Sequence, residues 1–130
     1  MISAMKTILL ADDEPQLRKL VRTTLDDPAY RILEASNGIE ALELARQALP
    51  ELIVLDWMMP GMSGVEVLRA LRQNLATAHI PVIMLTAREP ETDQEPGGAL
   101  HTYAYLIKPF SPLELLDKVQ EVLMEPQVYS

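Results

Sequence analysis

Two short runs constrain this chain more than any other feature. Leu52-Ile53-Val54-Leu55 and Val82-Ile83-Met84-Leu85 are apolar at every position. A strand with one wet face alternates apolar and polar residues. A strand apolar on both sides must be covered on both sides, as in a parallel sheet between two helical layers. Thr7-Ile8-Leu9-Leu10-Ala11 is a third run of this type. Tyr30 to Ala35 and Tyr103 to Ile107 read as two more strands, the first burying Tyr30, Ile32 and Leu33. Helical stripes separate them. Leu17, Leu20, Val21 and Leu25 follow Pro15, which suits a first helical turn because its missing N–H costs little there. Ile39, Leu42, Ala45 and Leu49 form a second stripe after the Ser36-Asn37-Gly38 turn, and Pro50 stops it. Val65, Leu68, Leu71 and Leu75 form a third. Ser111 as N-cap and Pro112 at the first helical position open the last helix, lined by Leu115, Leu116, Val119, Val122 and Leu123. This alternation predicts an α/β fold: a five-stranded parallel sheet with right-handed crossovers and helices on both faces.

One crossover breaks the pattern. Between Arg88 and Leu100 the chain contains Pro90, Pro96, Gly97 and Gly98 and no apolar stripe. A proline inside a helix costs ~3 kcal/mol and a glycine ~1 kcal/mol relative to alanine. The fourth helix is therefore expected to be short or irregular, and residues 89–101 more mobile than the other crossovers.

Composition narrows the function classes. A chain of 130 residues, 48% hydrophobic and 23% charged, suits one globular domain. With 11 Lys+Arg against 19 Asp+Glu its formal charge is −8, a poor match for phosphate backbones or anionic lipid. We therefore expect no direct nucleic-acid or membrane partner. The absence of Cys excludes disulfides, thiolate zinc sites and a Cys nucleophile. No apolar run approaches the ~20 residues of a membrane span, and the first residues do not read as a cleaved leader. A cytoplasmic location is the expectation.

In open parallel sheets, ligands bind beyond the carboxyl ends of the strands. Those ends carry Asp12-Asp13-Glu14, Asp56, Thr86-Ala87 and Lys108-Pro109-Phe110. Each alone is an ordinary turn or cap residue. Their occurrence at successive strand ends is what points to a site. Clustered carboxylates repel unless a cation compensates them, and hard oxygen ligands suit Mg²⁺ or Mn²⁺ rather than zinc. An Asp can attack a phosphoryl group, while Lys108 and the metal neutralise its oxygens and Thr86 donates a hydrogen bond to one of them. The Met58-Met59-Met62 group reads as loop packing, and His79 and His101 as structural or exposed residues.

These stretches, with Trp57-Met58-Met59-Pro60-Gly61-Met62-Ser63-Gly64 after Asp56, resemble the receiver domain of bacterial two-component response regulators, the CheY-like family. The resemblance runs over residues 6–124 and leaves 125–130 as a tail or the start of a linker. It implies a flavodoxin-like strand order 2-1-3-4-5. It implies that Asp56 is the phosphoacceptor, that Asp12, Asp13, Asp56 and the backbone carbonyl of Met58 hold the metal, and that Thr86, Lys108 and Tyr105 respond to the phosphoryl group. Ala87 is the small neighbour of that group, and Pro109 the proline that follows a cis peptide. Met58 and Arg88 fall at positions where the family tunes its own dephosphorylation. The implied partners are a sensor histidine kinase or phosphotransfer protein and a downstream effector, with a weak homodimer among the assemblies the family forms. The fourth crossover, and His101-Thr102-Tyr103-Ala104-Tyr105 after it, depart from the family pattern at its usual output face. Tyr103 and Tyr105 are expected to share a strand face.

The leading reading is a phosphorylation-dependent switch, not an enzyme with external turnover. It fits a single-domain regulator or the receiver portion of a longer protein. A phosphorylation-independent pseudo-receiver is one alternative. A Mg²⁺-dependent aspartyl-phosphate phosphatase of the haloacid dehalogenase type is another, but it usually carries a second Asp two residues after the nucleophile, where this chain has Met58.

Overall fold

The uniformly apolar runs become the middle of a sheet. In the computed structural model, which describes residues 5–87 and 102–124, β1 (Lys6–Ala11) lies between β2 (Tyr30–Ala35) and β3 (Leu52–Asp56), followed by β4 (Val82–Thr86) and β5 (Ala104–Ile107). All four pairings are parallel, and the strand order is 2-1-3-4-5. Every residue of β3 and β4 is buried. The edge strand β2 is half-buried at Tyr30, Ile32 and Leu33, because cover is thinner at a sheet edge.

The helices explain the double-sided burial. α2 (Gly38–Ala48) and α3 (Gly64–Gln73) cover one face, packing Ala41, Leu42, Ala45, Val67, Leu68 and Leu71 onto Leu9, Ile53, Leu55 and Met84. α1 (Pro15–Thr24) and α4 (Pro112–Met124) cover the other, packing Val21, Leu115 and Val119 onto Ile8, Leu10, Val54 and Ile83. Complete burial of a Leu or Ile side chain contributes roughly 1.5–3 kcal/mol each, so these central strands hold both layers together.

Caps set the helix starts. The Ser63 hydroxyl accepts from the Glu66 amide at 3.2 Å while the Glu66 carboxylate accepts from the Ser63 amide at 2.8 Å, a reciprocal capping box. Ser111 caps α4 as the sequence suggested, accepting from the amides of Leu113 and Glu114. Asn37 caps α2 through its side-chain oxygen, 2.8 Å from the Glu40 amide.

Four stripe positions point outward instead. Leu20 and Ile39 lie on the solvent side of their helices, and Leu49 and Leu75 lie past helix ends. Leu75 is 88% exposed because the helical period ends at Asn74, whose backbone is extended. Val67, which the spacing passed over, takes a core position in α3. The crossover expected to be irregular, with its 89–101 segment, and the 125–130 tail lie outside the described residues.

Leu49 terminates α2 in the left-handed conformation, at φ 47° and ψ 62°. That conformation costs an L-residue roughly 1–2 kcal/mol, while glycine there gives up roughly 0.5–1 kcal/mol of unfolded-chain entropy. The Leu49 side chain is half-exposed and loses little on removal. Leu49→Gly is expected to raise the unfolding free energy by about 0.5 kcal/mol in a urea titration. A clear loss of stability would show that its remaining apolar contacts outweigh the backbone strain.

Candidate functional site

The strand registers bring the polar strand ends together. Ala11 pairs with Leu55, so Asp12 and Asp56 leave neighbouring strands at the same level. Asp56 pairs with Leu85 and Thr86 with Ile107, which places Thr86 and Lys108 one step further out. Asp12 is 0% and Asp56 4% exposed, whereas Asp13 faces solvent. Asp12, Asp13 and Asp56 each offer a carboxylate oxygen, and the three lie within 4.8 Å of one another.

Lys108 reaches into this group from the end of β5. Its Nζ stands 3.2 Å from Asp56 Oδ1, 3.4 Å from Asp12 Oδ2 and 3.7 Å from Glu14 Oε1. The other Asp12 oxygen accepts from the Glu14 amide at 2.8 Å. The Met58 amide approaches Asp56 Oδ1 at 3.4 Å, so the loop after β3 folds back towards the acid, while the Met58 side chain stays exposed.

Burial dominates the protonation of the site. It pushes the Asp56 carboxyl up to about 6, the Asp12 charge adds to the rise, and Lys108 opposes it. Asp12 is also raised by burial, against the Glu14 amide and Lys108. Burial alone would lower Lys108, but Asp12 and Asp56 reverse that and raise it. One ammonium thus faces two buried carboxylates and an exposed third. Such a set of hard oxygen donors, open to water at Asp13 and without sulfur or imidazole in the cluster, fits Mg²⁺ or Mn²⁺.

The remaining residues frame this pocket. Thr86 is buried, and its carbonyl accepts from the Lys108 amide at 2.7 Å, tying β4 to β5 beside the site. Ala87 is exposed just beyond it. The Lys108–Pro109 peptide is cis. Tyr105 packs into the α2/α3-side cluster beside Trp57, with ring centroids 6.2 Å apart and planes tilted by 43°. Tyr103 lies just before β5, where its amide donates to the Val82 carbonyl at 2.8 Å and its hydroxyl meets Glu121 of α4 at 3.0 Å. Arg88 lies outside the described residues.

Three residues near the site carried no role in the sequence reading. Gly64 is required by space, since a Cβ there would stand 2.2 Å from the Asp56 carbonyl oxygen. Glu14 gives Lys108 a third acidic neighbour, and Arg18 donates to the Asp12 carbonyl at 2.7 Å. Glu14 was legible only as the third acid at the end of β1, and Arg18 only by its i, i+4 spacing from Glu14.

A family model described as the response regulator receiver domain matches residues 8–120. This chain belongs to the response regulator receiver family. It is 42% identical over 118 residues to the phosphate regulon transcriptional regulatory protein PhoB of Pseudomonas aeruginosa, covering 91% of this chain and 52% of that protein. It is 44% identical over 116 residues to the transcriptional regulatory protein ResD of Bacillus subtilis, covering 89% of this chain and 47% of that protein. The receiver thus spans about half the length of these curated relatives. Among solved structures, the chemotaxis response regulator CheY4 of Vibrio cholerae superposes with a TM-score of 0.83 at 35% identity, over 92% of this chain and 100% of that one. The Francisella response regulator 1452 receiver domain gives 0.79 at 32% identity, over 90% and 95% of the two chains. These relatives are named as transcriptional or chemotaxis response regulators.

The raised Asp56 carboxyl sets a sign for stability. The folded receiver holds this proton more tightly than the unfolded chain, whose Asp titrates near 3.8. Metal-free stability is therefore drawn down as pH rises from about 4 through about 6, by roughly 3 kcal/mol from this group. Asp12 acts in the same direction. In chelator, Asp56→Asn is expected to be more stable than wild type at pH 7.5, the gap closing as pH falls to 4. Urea titrations at the two pH values check this, and a pH-independent gap would contradict it.

Proposed function

We propose that this receiver is a phosphorylation-controlled switch whose phosphoacceptor is Asp56. The observation that carries this is the buried Asp56 carboxylate, 3.2 Å from Lys108 Nζ and within the Asp12–Asp13–Asp56 cluster. A nucleophilic acid, a cation-binding acid pair and a fixed ammonium stand within one pocket. That is the equipment for in-line transfer to an aspartate.

Asp12, Asp13, Asp56 and the Met58 backbone carbonyl would hold Mg²⁺, or Mn²⁺. The metal, when bound, supplies positive charge against the phosphoryl oxygens. An Asp56 oxygen attacks phosphorus of a phosphohistidine on a sensor kinase or phosphotransfer protein. The P–O bond forms as the P–N bond breaks, and the departing imidazole takes a proton from solvent. Lys108 then pairs with the phosphoryl group in place of the free carboxylate. Thr86 turns its hydroxyl towards a phosphoryl oxygen, and Ala87 leaves room beside it. The added charge, about −1.5 to −2 at pH 7, enters a pocket already short of cations.

Tyr105 links this event to the surface. Its ring occupies the layer next to Trp57, and Trp57 directly follows Asp56. A shift of Thr86 on β4 changes the space available to Tyr105 on the neighbouring strand, and phosphorylation moves the balance between two surface states. Residues 6–124 are the functional receiver on this reading. PhoB and ResD are named as transcriptional regulators. Where this receiver belongs to a regulator of that kind, its phosphorylation would govern transcription through the rest of the protein, and the location would be cytoplasmic. Turnover is confined to slow loss of its own phosphoryl group.

Acetyl phosphate with Mg²⁺ is expected to label wild type stoichiometrically, and chelation of the metal or Asp56→Asn to reduce labelling at least about 100-fold. Beryllofluoride with Mg²⁺ is expected to change Trp57 fluorescence. Equal labelling of Asp56→Asn would remove Asp56 as acceptor. A protein that neither labels nor responds at Trp57 would be a phosphorylation-independent interaction module.

A further inference from the structure

Asp12 is held from three directions. Its amide donates to the Ala35 carbonyl at 3.1 Å, which prolongs the β1–β2 ladder by one bond. Its side chain accepts from Glu14 and Lys108. Its carbonyl lies past the end of that ladder, where Asn37 on the neighbouring segment is already the N-cap of α2. The Arg18 guanidinium meets it there, with Nη1 at 2.7 Å from the Asp12 carbonyl oxygen.

Arg18 is itself held in place. Its Nε donates to Glu34 Oε1 at 3.1 Å, and the second Glu34 oxygen is paired with Arg22. Arg18 and Glu34 are only 19% and 27% exposed, so this bridge is largely withdrawn from solvent. The held carbonyl belongs to the peptide joining Asp12 to Asp13. That peptide is planar, so fixing its C=O also fixes the direction of the Asp13 N–H and the placement of the Asp13 Cα. Asp13 is the exposed member of the acidic cluster and has no comparable restraint from burial.

We propose that Arg18, anchored by Glu34, is a positioning residue that aims the Asp13 carboxylate at the cation. This deepens the preceding reading and rests on it. Arg18 contacts a carbonyl, not the cation, so its removal leaves every metal-binding carboxylate present but loosens the one that is least restrained. Outer-shell partners of this kind change metal affinity by about 10–100-fold.

The test measures Mg²⁺ affinity through Trp57 fluorescence, beside the melting temperature, for wild type, Arg18→Met, Arg18→Lys, Glu34→Gln and Thr77→Val. Thr77 donates to the Leu71 carbonyl at 2.7 Å in the α3–β4 loop and serves as a remote destabilising control. Arg18→Met is expected to weaken Mg²⁺ about tenfold. Arg18→Lys, which can reach the Asp12 carbonyl or Glu34 but not both, should fall between it and wild type. Glu34→Gln should weaken binding in the same direction, and Thr77→Val should lower the melting temperature with Mg²⁺ affinity unchanged. Wild-type affinity in Arg18→Met, or an equal loss in Thr77→Val, would overturn the positioning role. If Arg18→Met does not fold, unchanged affinity in both Arg18→Lys and Glu34→Gln would overturn it. No Mg²⁺ response in wild type would instead remove the metal site itself.

Discussion

Two buried carboxylates share one ammonium, and the rest of the molecule is arranged around that imbalance. Asp12 and Asp56 sit at the ends of central strands where water cannot screen them, and among the described residues Lys108 is the cation between them. Burying a charge is costly unless it is paired. Burial, with the Asp12 charge beside it, raises the Asp56 carboxyl, and Lys108 offsets only part of that rise. Two buried carboxylates with one ammonium, and the exposed Asp13 beside them, form a set of hard oxygen donors that suits a divalent cation.

Holding that imbalance needs a scaffold that does not relax. β3 and β4 are buried along their whole length, and both faces of the sheet are closed by helices. Close packing transmits displacement rather than absorbing it. The Lys108 amide bonded to the Thr86 carbonyl ties the end of β5 to β4, the strand beside the acid, and the tilted Tyr105 and Trp57 rings meet in the same layer. The approach of Gly64 to the Asp56 carbonyl brings the start of α3 against the same loop. A small change at the acid therefore has several packed routes to the surface.

Much of this was legible in the residue order. The unbroken apolar runs at 52–55 and 82–85 imply two covered faces, and the acids, Thr86 and Lys108 follow strands at positions where parallel sheets bind ligands. Leu20 and Ile39 fit a helical period yet face solvent, because spacing alone does not set the width of the buried stripe; the other errors fall at element ends. Leu49 and Leu75 continue a helical spacing past the point where the helix has ended, and periodicity does not register a left-handed or extended cap.

The sequence by itself determined the α/β class, the buried central strands and the set of polar residues that end them, because hydrophobic period and turn chemistry are local properties. Only the tertiary structure decided which of those polar groups meet. Register set Asp12 level with Asp56 and brought Lys108 to 3.2 Å from its carboxylate. The Arg18–Glu34 bridge joins α1 to β2 and ends on the Asp12 carbonyl. Such contacts depend on strand pairing and helix placement across long stretches of chain, and no local pattern of residues encodes a distance between elements that only packing brings together.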